Sequence, residues 1–472
     1  MIRPTIPFSG GALRRFAYAP RHDERQTYPL LAHQDPDDCV AWRKGAAFVV
    51  ADFLGAVAEL ASRLPAKRHA VNLCRDRYHF LVGFAAALVS KHVSLLPTCR
   101  APESLAQLND RYPETYVLAD HEDVPGGLPV CRVPETHSRV SSTHEIPTIS
   151  SERIAAVVFT SGSSGLPRAH VKTWGSLVRG ADALARRLHI ETPMPRAIVG
   201  TVPAQHMYGL ETTIMLPLQQ GWCIHAGHPI LPADLRSDLD GLRVPAWLMT
   251  TPVHLRAYVS QQIPLSKLEG VVSATMPLSR TLAARAERLW GVPVQEIYGC
   301  TETGVIGSRH PTGQERWTLC RGLRLRQDGD AAWVSGGHVG APFRLADRIA
   351  VHNEDQFVLH GPGYDLVKVA GKRASLAALN AALLGIDGVV DGTFYRPGAG
   401  RTGNGRLTAF VVAPGLTPAV ILAALRAKVD PVFLPRPLHL VEGLPRNSTG
   451  KLPHEQLENF AARFIGSTRS RG

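Results

Sequence analysis

The 472-residue sequence lacks several features that set apart special classes of protein. Its seven cysteines form no Cys-x-x-Cys pair, which argues against a disulfide framework or a zinc site and favours reduced thiols. No apolar run approaches the roughly 18 residues that a membrane span needs, and residues 1–15 hold no apolar segment of signal-peptide length. We therefore expect a cytoplasmic protein without a membrane span.

The sequence also has little acidic charge relative to its basic charge. Lys and Arg number 52 against 40 for Asp and Glu, which gives a formal net charge of +12. Such an excess favours anionic partners, namely a nucleotide, coenzyme A or an acidic protein. Because no stretch interleaves aromatic and basic residues as a nucleic-acid module would, nucleic acid is the class that the sequence supports least, and we expect none.

One loop is rich in small polar residues. The apolar run from Ile154 to Phe159 predicts a buried strand, and it leads directly into this loop. Glycines let backbone N–H groups approach an anion, hydroxyls add donors, and arginine adds a fork-shaped cation. The spacing matches neither GxxxxGK[ST] nor GxGxxG, so alone it indicates either a polyphosphate cradle or an ordinary turn. The residues of interest are Thr160, Ser161, Gly162, Ser163, Ser164, Gly165 and Arg168.

Strand-like and helix-like segments alternate along most of the chain. Apolar residues at helical spacing predict a helix over 53–64, and short apolar runs at 70–73 and 93–96 flank an apolar helix over 78–89. The pattern continues with a predicted helix from Trp174 to Leu188 and a strand from Val294 to Tyr298. Such alternation predicts an α/β domain with a largely parallel sheet.

A change of texture near residue 361 predicts a second domain. Gly361-Pro362-Gly363 punctuates the chain, and about a hundred residues follow, the size of a small domain. We predict domains at 1–360 and 361–472. A small terminal unit on a short Gly/Pro linker is the layout of a cap that rotates.

Three separated segments, Phe159–Arg168, Tyr298–Thr303 and Pro445–Lys451, resemble in order and spacing the signatures of the adenylate-forming enzymes. These include acyl- and aryl-CoA ligases, peptide-synthetase adenylation domains and luciferases, and the resemblance extends from about Phe53 to Leu457. It implies an α/β fold with a large N-terminal domain of parallel-rich sheets and a small, mobile α+β C-terminal domain. It also implies activation of a carboxylic acid by ATP and Mg²⁺ as an acyl-AMP.

The same resemblance assigns roles to individual residues. The loop from Thr160 to Arg168 would bind the β- and γ-phosphates. Tyr298 would stack on adenine beside Gly299, Asp347 would bind the ribose, and the stretch Ser273-Ala274-Thr275 would lie between adenine and the acyl group. Thr301 would bond the α-phosphate and Glu302 the Mg²⁺. Lys451 would bridge the attacking carboxylate and the α-phosphate where transition-state charge concentrates, and His206 would line the acyl pocket and gate the thiol tunnel.

The chain departs from the family pattern at several of these positions. Arg168 stands where Lys is usual, which keeps the charge but changes the geometry, and Ala169 replaces a Gly. The Thr-Gly that usually precedes the ribose-binding Asp is missing before Asp347. In the linker, Pro362 takes the place of a ribose-contacting Arg, and Tyr364 that of the usual hinge residue.

These residues restrict the class of the acid substrate but identify neither the acid nor the thiol acceptor. Adenylation domains for amino acids carry an Asp near the position of His206, and the segment His206-Met207-Tyr208-Gly209-Leu210 has none, although Glu211 is close. We therefore expect an aryl or aliphatic acid, with a hydroxybenzoate as the best match. The thiol acceptor is either an acyl carrier protein, as in aryl polyene pigment assembly, or coenzyme A. A relative that binds nucleotide without turnover is the alternative of another class.

Overall fold

The computed structural model describes residues 26–43, 45–124, 127–134, 145–160, 168–190, 194–329, 331–362, 366–369, 372–396, 407–447 and 450–465. The predicted loop residues 161–165 and linker residues 363–365 lie outside these ranges.

The helices cover most of the segments with 3.6-residue periodicity. In chain order they are α1 (Val50–Arg63), α2 (Arg77–Val89), α3 (Pro102–Arg111), α4 (Trp174–Leu188), α5 (Met207–Gly209), α6 (Leu216–Gln220), α7 (Pro232–Gly241), α8 (Pro252–Ser260), α9 (Arg280–Trp290), α10 (Leu376–Leu384), α11 (Pro418–Arg426) and α12 (His454–Ile465). A π-helix (Leu210–Met215) connects α5 to α6, and a 3₁₀ turn covers Pro431–Phe433. None of these helices is both long and apolar enough to cross a membrane.

The strands are mostly short. In chain order they are β1 (Thr27–Pro29), β2 (Cys39–Arg43), β3 (Ala46–Val49), β4 (His69–Asn72), β5 (Val93–Leu96), β6 (Thr115–Ala119), β7 (Val130–Arg132), β8 (Thr148–Ser150), β9 (Ile154–Thr160), β10 (Arg168–Thr173), β11 (Ala197–Gly200), β12 (Cys223–His225), β13 (Ala246–Thr250), β14 (Leu268–Ser273), β15 (Val294–Cys300), β16 (Gly304–Arg309), β17 (Trp317–Leu319), β18 (Leu323–Asp328), β19 (Ala331–Gly336), β20 (Val339–Arg344), β21 (Asp347–Val351), β22 (Gln356–Pro362), β23 (Leu366–Val369), β24 (Lys372–Ser375), β25 (Asp391–Tyr395), β26 (Thr408–Val412) and β27 (Leu438–Leu440).

Two parallel-rich sheets form the large domain. The six-stranded sheet has the order β10-β9-β5-β4-β6-β7, in which only the β9–β10 pair is antiparallel. The eleven-stranded sheet has a parallel centre, β15-β14-β13-β11-β12-β2, with antiparallel strands on both flanks. The α/β prediction with parallel-rich sheets is therefore confirmed, while the antiparallel flank of β16, β17, β22 and β21 and the separate antiparallel sheet β18-β19-β20 were not predicted.

A buried arginine ties the two sheets together. The guanidinium of Arg77, at the start of α2, donates to the carbonyls of Gly200, Val202, His225 and Gly227 at 2.6–3.1 Å. Those carbonyls lie at the carboxyl ends of β11 and β12. Because a buried cation must have partners, these four bonds fix α2 of one sheet against the strand ends of the other.

The C-terminal unit has its own core. The hairpin β23–β24 precedes α10, and the mixed sheet β25–β26–β27 packs against α10 and α11. Leu383, Ile421 and Leu425 are fully buried there. The smaller C-terminal domain is thus confirmed. Its predicted start at residue 361 stays a prediction, and β22 ends at Pro362, next to that position.

A single glycine is required by the tight turn before the π-helix. A Cβ at Gly209 would lie closer than 3.0 Å to the carbonyl of Pro203, which is backbone and cannot move aside. We expect Gly209→Ala to lower the free energy of unfolding by about 3 kcal/mol. Gly241→Ala is the control, because nothing lies within 4 Å of the added methyl at that helical position. Equal melting temperatures for the two variants would contradict this packing.

Candidate active site

The carboxyl ends of the parallel strands converge on one cleft. β14 ends at Ser273, β15 ends at Cys300, and β11 leads into the segment that reaches His206. In open α/β sheets this edge carries the polar groups that do not pair within the sheet, and ligands bind there. Ser273, Ala274, Tyr298, Thr301 and Glu302, all predicted site residues, lie at this edge.

Tyr298 and Asp347 are joined directly. The Tyr298 hydroxyl donates to Asp347 Oδ2 at 2.7 Å. The Tyr298 ring packs with Trp317 and Phe357, with centroids 5.8 and 6.0 Å apart. Asp347 begins β21, which reaches the cleft through the antiparallel flank. The predicted adenine and ribose residues, 49 positions apart in the sequence, are thus side by side.

A histidine links the end of β9 to Glu302. Thr160 ends β9, and its Oγ1 lies 2.9 Å from His170 Nε2 on β10. The same nitrogen is 3.7 Å from Glu302 Oε1. Burial lowers the pKa of His170, against the raising effect of Glu302. Arg168, the first residue of β10, is exposed and pairs in register with Thr160, at the mouth of the loop.

The turn that carries Thr301 and Glu302 is held by two buried ionisable side chains that hydrogen-bond to its backbone. Lys172 Nζ donates to the Glu302 carbonyl at 2.8 Å, and Glu211 Oε1 accepts from the Val305 N–H at 3.2 Å. Both side chains are buried, at 5% and 6% exposure. Burial lowers the pKa of Lys172 and raises that of Glu211 to about 7, and each charge opposes the other's shift. A side chain at Gly304 would strike Glu211, so glycine is required there.

The backbone at Thr275 is strained. Its φ of 78° lies in the left-handed region, which β-branched residues avoid. Ser273 before it is fully buried, and its hydroxyl has no partner among the described residues. Gly299 is needed for a different reason, because a Cβ there would collide with the carbonyl of Gly304. Strain and an unsatisfied hydroxyl of this kind cluster at functional sites.

His206 lies where the two domains meet. It caps α5, and the following Tyr208 hydroxyl, 3.0 Å from the carbonyls of Thr250 and Val272, fixes that segment to β13 and β14. Burial lowers the pKa of His206 to about 4, with further lowering by the charges of Lys451 and Arg100. A Cβ at Gly450, the residue before Lys451, would lie 3.6–3.8 Å from Thr251, Val253 and Met276, so the turn that carries Lys451 packs against the large domain.

The C-terminal domain is held in this position by arginines. Arg446 forms a two-pronged ion pair with Asp391, both N–O distances being 2.7 Å, and its Nη1 lies 3.4 Å from Met276 Sδ and 2.9 Å from the Gly450 carbonyl. From the other side, Arg256 Nη1 on α8 donates to the Leu384 carbonyl at 3.0 Å. These contacts place the Gly450–Lys451 turn against the cleft.

A cavity of about 250 Å³ opens beside His206. It lies between the start of α2 and the segment before His206. The lining residues include Arg75, Asp76, Arg77, Arg100, Gln205 and His228. Three arginines against one aspartate give this cavity a net positive charge that suits an anionic group.

The described site residues thus fall into two groups. Around the Glu302 turn lie Thr160, Arg168, Tyr298, Gly299, Thr301, Glu302 and Asp347, and at the domain contact lie His206, Lys451 and the 273–275 segment. The predicted phosphate-loop residues Ser161, Gly162, Ser163, Ser164 and Gly165 lie outside the described residues.

The family model for "AMP-binding enzyme" matches residues 41–364. The chain belongs to the AMP-binding enzyme family. A 4-coumarate–CoA ligase from Rhodobacter capsulatus is 31% identical over 323 residues, covering 66% of this chain and 78% of the relative. A probable 2-succinylbenzoate–CoA ligase from Mycobacterium tuberculosis is 25% identical over 358 residues, covering 71% and 91%. The chain is therefore a relative of acid–CoA ligases.

Solved structures of this family share the fold. The O-succinylbenzoate coenzyme A synthetase of Bacillus subtilis, solved with AMP, superposes with a TM-score of 0.75 at 17% identity, covering 92% of this chain and 98% of that one. An anthranilate CoA ligase solved with anthranoyl-AMP gives a TM-score of 0.74 at 15% identity, covering 93% and 99%.

The carboxylate of Glu302 fits the magnesium ion that this family implies. Its side chain is 26% exposed, and its nearest ion-pair partner in the described chain is the imidazole at 3.7 Å. Within the described ranges no three His, Cys, Asp or Glu side chains group as a metal cage. One carboxylate suits Mg²⁺, which takes its remaining ligands from phosphate oxygens and water.

Sequence reasoning missed His170, Lys172 and Arg256. The first two had a detectable signal, because Arg168, His170 and Lys172 alternate along one face of a predictable strand. Arg256 had none, since its partners are backbone carbonyls of another domain.

Arg256 gives a direct test of the domain contact. We expect Arg256→Ala to slow adenylate formation about tenfold, because a charge-assisted bond is worth about 1.5–3 kcal/mol. Acid-dependent pyrophosphate exchange measures this. Arg285→Ala is the control: its pair with Asp387 joins the same domains but is exposed and 3.9 Å long, so little change is expected. No loss at Arg256, or equal losses at both, would contradict the contact.

His206 predicts a pH dependence of stability. The folded protein binds this proton only below about pH 4, whereas the unfolded chain binds it near 6.5. Stability is therefore lost as the pH falls from about 6.5 towards 4, by about 2 kcal/mol at pH 5. Burial also lowers the pKa of His225, His228 and His338 to about 4. We therefore expect His206→Asn to reduce, but not abolish, the fall of the melting temperature between pH 7 and 5, and the exposed His189→Asn to leave the slope unchanged. Parallel slopes for all three proteins would refute the buried neutral imidazole.

Proposed function

We propose that the protein activates a small aryl acid, such as a hydroxybenzoate, as its acyl-AMP with ATP and transfers the acyl group to a phosphopantetheine thiol. The convergence in the cleft carries this proposal. Thr160, Glu302 and Lys451 come from segments far apart in the sequence, yet His170 connects the first two, and the Gly450–Lys451 turn lies against Thr251 and Met276.

The arrangement suits attack of a carboxylate on the α-phosphate. An oxygen of the acid bonds to the α-phosphorus, and pyrophosphate leaves from the opposite side. Lys451 supplies positive charge where negative charge concentrates in the transition state, and Thr301 donates to the α-phosphate. Glu302 would hold Mg²⁺, which neutralises phosphate charge. Tyr298 and Asp347 would orient the nucleoside, and 160–168 would take the terminal phosphates.

An aromatic acid suits the residues around His206. Met207, buried at 7% exposure, and the Tyr208 ring offer an apolar wall, and the segment has no carboxylate placed to hold an ammonium group. Glu211 is directed instead to the Val305 amide. The relatives named for 4-coumarate and 2-succinylbenzoate also act on aromatic acids. Within this class we favour the activity of a 3-hydroxybenzoate:acyl-carrier-protein ligase of xanthomonadin-type aryl polyene assembly.

The arginine-lined cavity beside His206 supports a phosphopantetheine acceptor. Its positive potential would attract the phosphate of that arm, and the net charge of +12 suits an acidic carrier protein. Free coenzyme A offers the same arm, and the named relatives are CoA ligases, so it is the second candidate. Thioester formation with coenzyme A but with no holo carrier protein would overturn the carrier assignment.

A panel of benzoates, cinnamates and fatty acids tests the activation step. We expect acid-dependent pyrophosphate release, strongest with a hydroxybenzoate. Lys451→Ala should slow adenylation on the order of 10²–10³-fold, while thioester formation from preformed acyl-AMP should suffer much less.

A nucleotide-binding relative without turnover is the opposing reading. No release with any acid, together with no effect of Lys451→Ala on ATP consumption, would support it. Arg168 refines the test: Arg168→Lys should keep most activity and Arg168→Ala should weaken ATP binding. Equal activity in all three proteins would remove Arg168 from the phosphate site.

A further inference from the structure

We propose that Lys172 and Glu211 are a buried pair of positioning residues that set the Thr301–Glu302 turn from behind. The proposal rests on the proposed function for its catalytic consequence, but its structural part can be tested without any substrate.

Lys172 contacts the turn through backbone. Its Nζ donates to the carbonyl of Glu302 at 2.8 Å, from the same strand on which His170 lies 3.7 Å from the Glu302 carboxylate. One strand therefore contacts both the main chain and the side chain of Glu302. Because β10 pairs with β9 in register from Thr160 onward, the position of the turn is coupled to the strand that begins the phosphate loop.

Glu211 holds the other end of the turn. Its Oε1 accepts from Val305 N at 3.2 Å, immediately after Gly304, whose missing side chain leaves room for the carboxylate. The π-helix that contains Glu211 starts four residues after His206, so the acyl-pocket segment and the turn are fastened to each other. The carbonyl of residue 302 and the amide of residue 305 are thus each held by a separate buried group.

The presence of ionisable side chains at the buried positions 172 and 211 indicates a role for the two residues. An apolar side chain of similar length would fill the site of Lys172 without the cost of burying an ammonium. Each of the two side chains makes one directional bond to the backbone of the turn. Charge at this place is expected where orientation of the turn matters more than stability.

Hydrogen exchange of the ligand-free protein tests whether Lys172 and Glu211 hold the turn. The variant Lys172→Met/Glu211→Gln removes both charges together, so neither is left buried without its counterpart. We expect amide exchange in the peptide over 300–306 to rise about tenfold, with β13 and β14 unchanged. Lys267→Met is the matched control, because Lys267 also donates to a backbone carbonyl, that of Asp240 at 2.9 Å, but at the opposite end of β14. Unchanged exchange over 300–306, or an equal rise in β13 and β14, would overturn the proposal.

Kinetics test the positioning role. In the double variant we expect kcat for pyrophosphate exchange to fall at least tenfold while KM for the acid stays within about twofold. Lys172→Arg should recover part of the rate, since it keeps a donor. In the background of Glu302→Gln, removing Lys172 and Glu211 should cost little more, because they act through that residue. Full additivity with Glu302→Gln would contradict the role.

Failure of the two proposals can be told apart. If the wild type shows no pyrophosphate exchange with any acid, the proposed function fails. The hydrogen-exchange comparison still tests whether Lys172 and Glu211 hold the turn. If the wild type is active and the double variant keeps both its catalytic rate and its amide protection over 300–306, only the positioning role of Lys172 and Glu211 is wrong.

Discussion

The contact between His170 and Glu302 is the interaction on which the site depends. It joins the antiparallel end of one sheet to the carboxyl end of a strand in the other, through a histidine that also lies 2.9 Å from Thr160. Arg77 joins the same two sheets further along. These side chains bridge the ends of the two sheets at the cleft.

Local sequence predicted the parallel elements well. The helix Trp174–Leu188 and the strand Val93–Leu96 have the predicted bounds, because their apolar spacing reports burial directly. The antiparallel flank of β16, β17, β22 and β21 was missed. The pairing of β17 with β22 joins strands about 40 residues apart in sequence, for which a local pattern carries no signal.

The residues of the candidate site were likewise predicted from the sequence only in part. Tyr298 and Asp347 were named from motifs, yet their 2.7 Å contact is created by the missed flank that carries Asp347. Lys172 sits in a predictable strand, but its partner, the carbonyl of residue 302, belongs to the backbone and is invisible in a residue pattern. Motifs therefore named candidate reacting groups, whereas the contacts of His170 and Lys172 with Glu302 became visible only in the assembled fold.

The reaction proposed for the cleft forms a mixed anhydride of a carboxylic acid and AMP. Mass spectrometry of a single turnover, with enzyme in excess over ATP and hydroxybenzoate and with no thiol present, detects this product. We expect enzyme-bound hydroxybenzoyl-AMP and free pyrophosphate, formed only when the acid is added. ADP with orthophosphate, or unchanged ATP with every acid of the aryl and fatty series, would contradict it.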